Sequence, residues 1–338
     1  MMPAGWLPKP FKLGASRVLG EIKSARLKNR LQRMATNNKL ILAGPWLGEV
    51  GFELLYWVPF LAWFTKEFSV SPNRIVAVSR GGSESWYRHI AATYLDIFEM
   101  FTLSEFKRRN IERQRQLGEQ KQFALTDFDR SIVSSVKERL GESSVQLLHP
   151  SEMYVLFKHY WWGHTDEQWI HRHTRYSTFS SDVMRFGFDS LPDKFTAVKF
   201  YFSKCFPQTA ETRAFVSRIL DRLREEQPVI SLSTGFKLDD HSEWEPCSLP
   251  RQISRLLTPQ NNLQIQSAIV SRATNFVGTY GGFSYLAPFF GVRSMGVYAD
   301  ANAFSKSHLR MMRSVIDGSN CGAMQLVDAS AGRPREIS

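Results

Sequence analysis

Two carboxylates, Glu49 and Glu53, stand among glycines at the start of the stretch GPWLGEVGFELLYWVPFLAWF, Gly44 to Phe64. Leucines and large aromatics fill the rest, so the stretch reads as a buried helix with acids at its mouth. Acids so placed can move protons, or they can merely favour the positive end of the helix dipole. A second group lies in VGTYGGFSYLAPFFG. There a strand ends at Val277-Gly278, glycines turn the chain, and a helix begins near Ser284. Free backbone N–H groups at such a turn bind phosphate. Gly281 and Gly282 would let a ligand approach the backbone, and Ser284 could cap the helix or donate to an oxygen. An ordinary strand-to-helix turn with no ligand explains the pattern equally. In VKFYFSKCFP, Lys199, Ser203 and Lys204 follow another strand. They could reach a diphosphate at the carboxyl edge of a sheet, or be solvated surface groups. In KLDDH, Asp239 or Asp240 could accept from a ribose hydroxyl, or form an Asx-turn.

Two further patterns are weaker. Asp127 and Asp129 in DFD match a D-x-D metal motif, but they precede a helix, where an N-cap role fits better. His159, His164, His171 and His173 have no standard ligand spacing and sit in an aromatic tract, so no metal is expected.

The elements that must hold these groups alternate. Strands are expected at Leu40 to Ala43, Arg74 to Ser79, in VQLLHP, at Phe195 to about Phe202, in PVISLS, in NFVG and in RSMGVYA. Helices are expected over 52–67, with a kink at Pro59, over 83–100, and in SEFKRRNIERQRQLGEQKQ, TAETRAFVSRILDRLREEQ, NLQIQSAIVSRA and FSYLAPFFG. Alternation of this kind predicts an α/β protein with parallel sheets. Two such series meeting near residue 190 predict two Rossmann-like domains facing a cleft. The expected boundaries are a basic arm over 1–38, one domain over 39–190 and a second over 191–338.

The chain of 338 residues is 43% hydrophobic, enough for a sizeable core and against wholesale disorder. Cys205, Cys247 and Cys321 are too scattered for a disulfide framework or a zinc site, which fits a reducing cytoplasm. No run approaches the roughly 20 apolar residues that span a bilayer, and the N-terminus lacks a secretory pattern. Residues 1–38 carry eight Lys/Arg against one acid, Glu21, within a net charge of +11. Val18, Leu19, Ile22, Leu27 and Leu31 recur there at roughly helical spacing. Such an arm is a solvated leader helix, or it lies on an anionic membrane face. No nucleic-acid module accompanies it, and nucleic acid is not the expected partner.

Together these segments resemble heptosyltransferase-like glycosyltransferases of the GT-B fold. GEVGFELLYWVPFL is similar to their first loop and helix, with Gly48-Glu49 and Pro59-Phe60-Leu61 in the places of Gly-Asp and Pro-x-Leu. SAIVSRATNFVGTYGGFSYLAPFFGV resembles their donor-site stretch, and KFYFSKCFP their phosphate-contacting Lys/Ser segment. The resemblance covers roughly 40–105 and 195–300. It departs from the pattern at Glu49, where the family has aspartate, at Tyr285, where histidine is usual, and at TYGG, which replaces Asp/Ser-x-Thr-Gly.

The resemblance implies a GT-B transferase moving a sugar from a nucleotide-sugar donor to a saccharide or lipid-linked acceptor, as in surface polysaccharide synthesis. It implies no cofactor, no metal and inversion at the anomeric carbon. Glu49, flanked by Gly48 and Gly51 on the acceptor side, would be the general base, and Glu53 would orient the acceptor or pair with an arginine. Donor phosphates would rest on Tyr280, Gly281, Gly282, Ser284 and Tyr285 with Lys199, Ser203 and Lys204; Asp239 and Asp240 would face the ribose. The enzyme would be cytoplasmic, or peripheral on the inner face of the membrane through residues 1–38. A polysaccharide pyruvyltransferase on a similar scaffold and a non-catalytic relic are the alternatives.

Overall fold

Short apolar runs bounded by glycine, proline and asparagine become strands, and those at 41–43, 75–79, 196–199 and 275–279 are buried along nearly their whole length, as the interior of a parallel sheet requires. In a computed structural model, residues 9–180, 191–236, 242–244, 249–318 and 321–330 are described. The first sheet contains β1 (Ile41–Ala43), β2 (Ile75–Ser79), β3 (Thr93–Asp96) and β4 (Gln146–Leu148). All pair in parallel in the order β3-β2-β1-β4. The second half contributes β5 (Thr196–Lys199), β6 (Tyr201–Phe202), β7 (Val229–Ser231), β8 (Ser242–Glu243), β9 (Asn275–Thr279), β10 (Arg293–Tyr298) and β11 (Met324–Asp328). Here the parallel order is β11-β10-β9-β5-β7, and β6 pairs with β8 in a separate antiparallel ribbon. The chain is therefore α/β, with two parallel Rossmann-like sheets. Strand order reverses at β1 and β4 in one sheet and at β5 and β9 in the other, and such switch points are where ligands bind.

Several expectations shift. The segment 83–100 is not one helix. It holds a single turn, Glu84–Tyr87, then the edge strand β3 and a 3₁₀ turn, Ile97–Glu99. Asp96 sets that boundary by accepting from Phe98 N and Gly82 N. Strand β11 and the helix Lys306–Gly318 before it were not anticipated, although Leu309, Met312 and Val315 mark a buried helical face.

The helix after β1 runs without a break through Val50–Phe52, Glu53–Trp57 and Val58–Glu67, and its middle segment is a π-turn. The π-turn ends just before Val58-Pro59, and such local widening is a known response to a disrupted i→i−4 ladder. Pro59 cannot donate to Leu55 O, and the Tyr176 hydroxyl donates there instead at 2.7 Å. The π-turn also points Glu53 inward, to full burial.

The described part of the basic arm packs against the first half. Helix Lys9–Thr36 buries Leu27, Leu31 and Met34 and packs on the helix Pro150–Trp161. Ser24 and His173 share a hydrogen bond of 2.9 Å, Arg30 pairs with Glu152, and Arg74 donates to Met34 O and Ala35 O at the helix end. Ile22, by contrast, stays exposed.

One apolar cluster extends from Leu31 through Trp57 and Tyr285 to Val327, so the two halves share a core. A second covers the other face of the first sheet, where Leu42, Val76 and Val78 meet Phe106 and Phe128.

Candidate functional site

A cavity of about 490 Å³ opens at the carboxyl ends of both sheets. The first half supplies Glu49, Val50, Gly51, Phe52 and Arg80; the second supplies Lys199, the Tyr201–Cys205 segment and the Tyr280–Phe283 turn. Parallel strands end together, so residues just past β1, β2, β5 and β9 are brought to one place whatever their separation in sequence.

Glu49 is the residue before the helix at Val50, with extended backbone, and its side chain stays 44% exposed. Lys121 Nζ lies 3.4 Å from Glu49 Oε1 and 3.2 Å from the centre of the Phe52 ring. Burial lowers the Lys121 pKa, while Glu49 pulls it up. Lys121 comes from the charged segment after helix Leu103–Leu117, a segment whose sequence reads only as exposed surface.

Glu53, expected at the acceptor, is not on the cavity wall. Its Oε1 accepts from Ser79 Oγ at 2.6 Å, Tyr87 Oη at 2.5 Å and Ser83 Oγ at 3.5 Å. Oε2 is buried without a hydrogen-bond partner among the described residues. Burial pushes the carboxyl up to about 7, against the lowering effects of Arg80 and the three hydroxyls. The expectation of an arginine neighbour agrees with this electrostatic effect of Arg80. Contact with an acceptor does not fit the burial: Glu53 clamps the loop after β2 onto the helix.

Gly48 and Gly51 differ from the expectation in opposite ways. Gly48 lies off the wall, its carbonyl accepting from Arg80 Nη2 at 2.5 Å, and a Cβ there would meet the Trp46 ring at 2.8 Å. Gly51 is on the wall, packed on Gly282 and the Tyr285 ring.

In the second half, Lys199 Nζ donates to Gln266 Oε1 at 2.9 Å and Leu232 O at 3.3 Å, and faces the Phe283 ring. Ser203 and the exposed Lys204 line the same cavity, with Ser203 Oγ 3.3 Å from Cys205 Sγ. Tyr280 and Tyr285 also line it, and the Tyr285 hydroxyl donates to that of Tyr280 at 2.7 Å. Ser284 does not reach the wall. Its hydroxyl turns back, accepting from Gly281 N at 3.0 Å and donating to Gly281 O at 2.7 Å, so it caps its own helix. Gly282 lies on the wall, but its lack of a side chain serves packing: a Cβ would sit 2.8 Å from Gly51 N. Asp239 and Asp240 lie outside the described residues.

Sequence reasoning missed His308, Arg80 and Gln266. His308 begins the helix Lys306–Gly318, lines the cavity, and shares a 2.6 Å hydrogen bond between Nδ1 and the Tyr56 hydroxyl. Burial, with Lys121 nearby, pushes its pKa down to about 3. Arg80 had a signal, since SRGG follows a strand end as TYGG does.

The weaker patterns resolve structurally. Thr126, not an aspartate, is the N-cap of helix Asp127–Leu140, and Asp129 completes a capping box. Burial pushes Asp129 up, but His149 and Thr126 outweigh it and hold the carboxyl below its ordinary range. His171 and His173 bond to Ser314 and Ser24 respectively. Among the described residues no group of His, Cys, Asp and Glu is arranged to hold a metal.

Comparison with known proteins yields no protein-family model, no curated protein and no solved structure that matches this chain.

Proposed function

We propose that the chain is a GT-B-type glycosyltransferase, with Glu49 as general base and a nucleotide-sugar donor held by the second half. The observation that carries this reading is the cavity itself. It places a part-exposed carboxylate after β1 opposite Lys199, Lys204 and the glycine turn after β9, each at a carboxyl strand end. Glu49 is the one carboxylate among the described lining residues, which suits an inverting displacement with a single base. The cations offset the charge that develops on the leaving diphosphate, which makes a metal-independent mechanism the expectation. A cavity of about 490 Å³ is in the range of small-molecule sites and has room for a nucleoside, whereas the pyruvyltransferase alternative would suit a smaller pocket.

Glu49 would take the proton of an acceptor hydroxyl as that oxygen attacks the anomeric carbon, and the nucleoside diphosphate would leave toward Lys199. Lys121 keeps Glu49 in place through charge and is itself seated on Phe52. The acceptor is a saccharide, free or lipid-linked. The exposed face of helix Lys9–Thr36, with Arg26, Lys28 and Arg33, would hold the enzyme against an anionic membrane. No described helix is long and apolar enough to cross a membrane. The test is transfer or hydrolysis with a panel of nucleotide sugars, with and without EDTA. Turnover of none of them would refute the reading; activity abolished by EDTA and restored by a divalent ion would refute the metal-free mechanism.

A further inference from the structure

The helix after β1 serves two cavities. Leu55 lines the one described above, whereas Leu54, Val58, Ala62 and Lys66 line a second, of about 470 Å³. Among the described residues none lines both. The second cavity lies toward the amino edge of the first sheet, where Val70 and Pro72 lead into β2 and Ile90 leads into β3.

Its wall changes character along one direction. Leu54, Val58, Ala62 and Lys66 recur every four residues, apolar three times and cationic the fourth. At 1.5 Å per residue this stripe is about 18 Å long. Burial falls along it: Leu54 and Val58 are buried, Ala62 is part-buried and Lys66 is exposed. Aromatic rings form another side of the cavity. Trp86 stacks on Phe179 with ring centres 6.2 Å apart, and Phe179 stacks on Phe289 at 5.2 Å. The Phe179 N–H donates to Phe289 O at 2.8 Å and fixes that ring in the wall. Arg175 also lines the cavity, its backbone N–H donating to Pro59 O at 2.9 Å. Its Nη1 donates to Thr174 O at 2.9 Å, and its Nη2 lies 3.9 Å from Glu67, the residue after Lys66. That distance exceeds hydrogen-bond length. Arg175 and Lys66 therefore mark the same exposed end, and among the described lining residues there is no carboxylate.

A cavity of this size, mostly apolar with a few polar groups at one end, is in the range of small-molecule sites. Its lining discriminates between ligands. A sugar or nucleoside would set polar groups against Leu54, Val58, Trp86 and Phe289, where they find no partner. A hydrocarbon chain meets no such penalty, and each methylene removed from water raises affinity about fourfold.

We propose that this cavity binds a single-chain anionic amphiphile. The chain lies along Leu54, Val58 and Ala62, and a carboxylate or phosphate head sits at the exposed end with Lys66 and Arg175. The proposal does not rest on the transfer reading, because the two cavities share no described wall residue.

The experiment is calorimetric titration of the full chain with dodecyl phosphate and dodecanoate below their micelle concentrations. Octyl phosphate, dodecanol and inorganic phosphate are the comparisons. Dodecyl phosphate should bind more than tenfold tighter than octyl phosphate, through its four extra methylenes, and about tenfold tighter than dodecanol, through its charge. Inorganic phosphate should not compete with it. Ala62→Trp, which fills the cavity from a part-buried position, should abolish binding. Lys66→Glu and Arg175→Gln should each weaken dodecyl phosphate about tenfold and leave dodecanol unchanged. Arg222→Glu, an equal charge reversal on an exposed residue outside the cavity, should change neither. Should Ala62→Trp fail to fold, the exposed Lys66 and Arg175 variants carry the test. Bound dodecyl phosphate should slow amide exchange in 60–66 and 85–90. Equal affinity for octyl and dodecyl phosphate, equal affinity for dodecanol, or full binding by folded Ala62→Trp would overturn the proposal. So would an equal loss in Arg222→Glu, or protection confined to 280–285 in the wall of the other cavity.

Discussion

Glu53→Gln should remove a pH dependence of stability that the wild-type chain carries. The carboxyl is completely buried and its folded pKa is about 7, raised chiefly by burial from an ordinary 4.5. Between these two values the folded protein holds a proton that the unfolded chain has released. Stability from this group is therefore greatest below pH 4.5 and is lost as pH rises toward and through 7. At 1.36 kcal/mol per pKa unit, the loss between pH 5 and pH 8 is about 2–3 kcal/mol. Glutamine has the geometry to replace the protonated acid. Its oxygen can keep the Ser79 and Tyr87 hydroxyls, and its NH₂ takes the place of Oε2, which has no hydrogen-bond partner among the described residues. Denaturant unfolding of both proteins from pH 5 to pH 8 measures the effect. The variant should lose less stability with rising pH, and the two curves should diverge by the amount above. Asp96, raised by burial to about 6, acts in the same direction but is present in both proteins, so the difference isolates Glu53. Parallel curves would show that Glu53 is ionised throughout and that its burial has been misjudged.

Glu49→Gln should lower kcat by about 10²–10⁴, the contribution of a general base, with nucleotide affinity nearly unchanged in a binding titration. Gly282→Val, whose Cβ would press on Gly51 N and Val50, should cost about 1–3 kcal/mol of stability, read as a lower unfolding midpoint. Leu31→Ala should destabilise by about 2–5 kcal/mol because this arm residue is fully buried, whereas reversing the exposed Arg26, Lys28 and Arg33 should leave stability alone and weaken binding to anionic vesicles. His308, with its pKa pushed down to about 3, should show no imidazole titration between pH 5 and pH 9 by NMR, and a midpoint near 6.5 would contradict its burial.

The fold was legible where one local rule dominated. Apolar runs ending in glycine gave β2 and β9, and the spacing of Phe215, Ile219 and Leu223 gave the helix Ala210–Glu226. Strand β3 was not legible because an edge strand needs only one neighbour, and TYLD (Thr93–Asp96) lies beside apolar residues that also suit a helix. In the site, Glu49 and Lys199 could be found because they flank strand ends. Lys121 and His308 could not, because a charged segment brings Lys121 beside Glu49, and a late helix brings His308 to the cavity, only after the sheets are assembled.

The two glutamates show why spacing alone misleads at such a site. Glu49 and Glu53 are four residues apart, one helical turn, and an ordinary helix would set them on one face. Glu49, however, precedes the helix in extended backbone, while Glu53 opens a π-turn that aims it inward. One carboxylate therefore remains part-exposed on the cavity, beside Lys121, and the other is sealed among Ser79, Ser83 and Tyr87. The loop that receives Glu53 carries Arg80 to the cavity and meets the helix bearing Gln266, which holds Lys199. A buried acid without ligand contact can thus set the position of two cations, one in each half. Its neutral form is the cheaper one to bury, and its ionised form is the better electrostatic partner for Arg80. A folded pKa near 7 is the balance between those two demands: burial raises it, and Arg80 with the three hydroxyls lowers it.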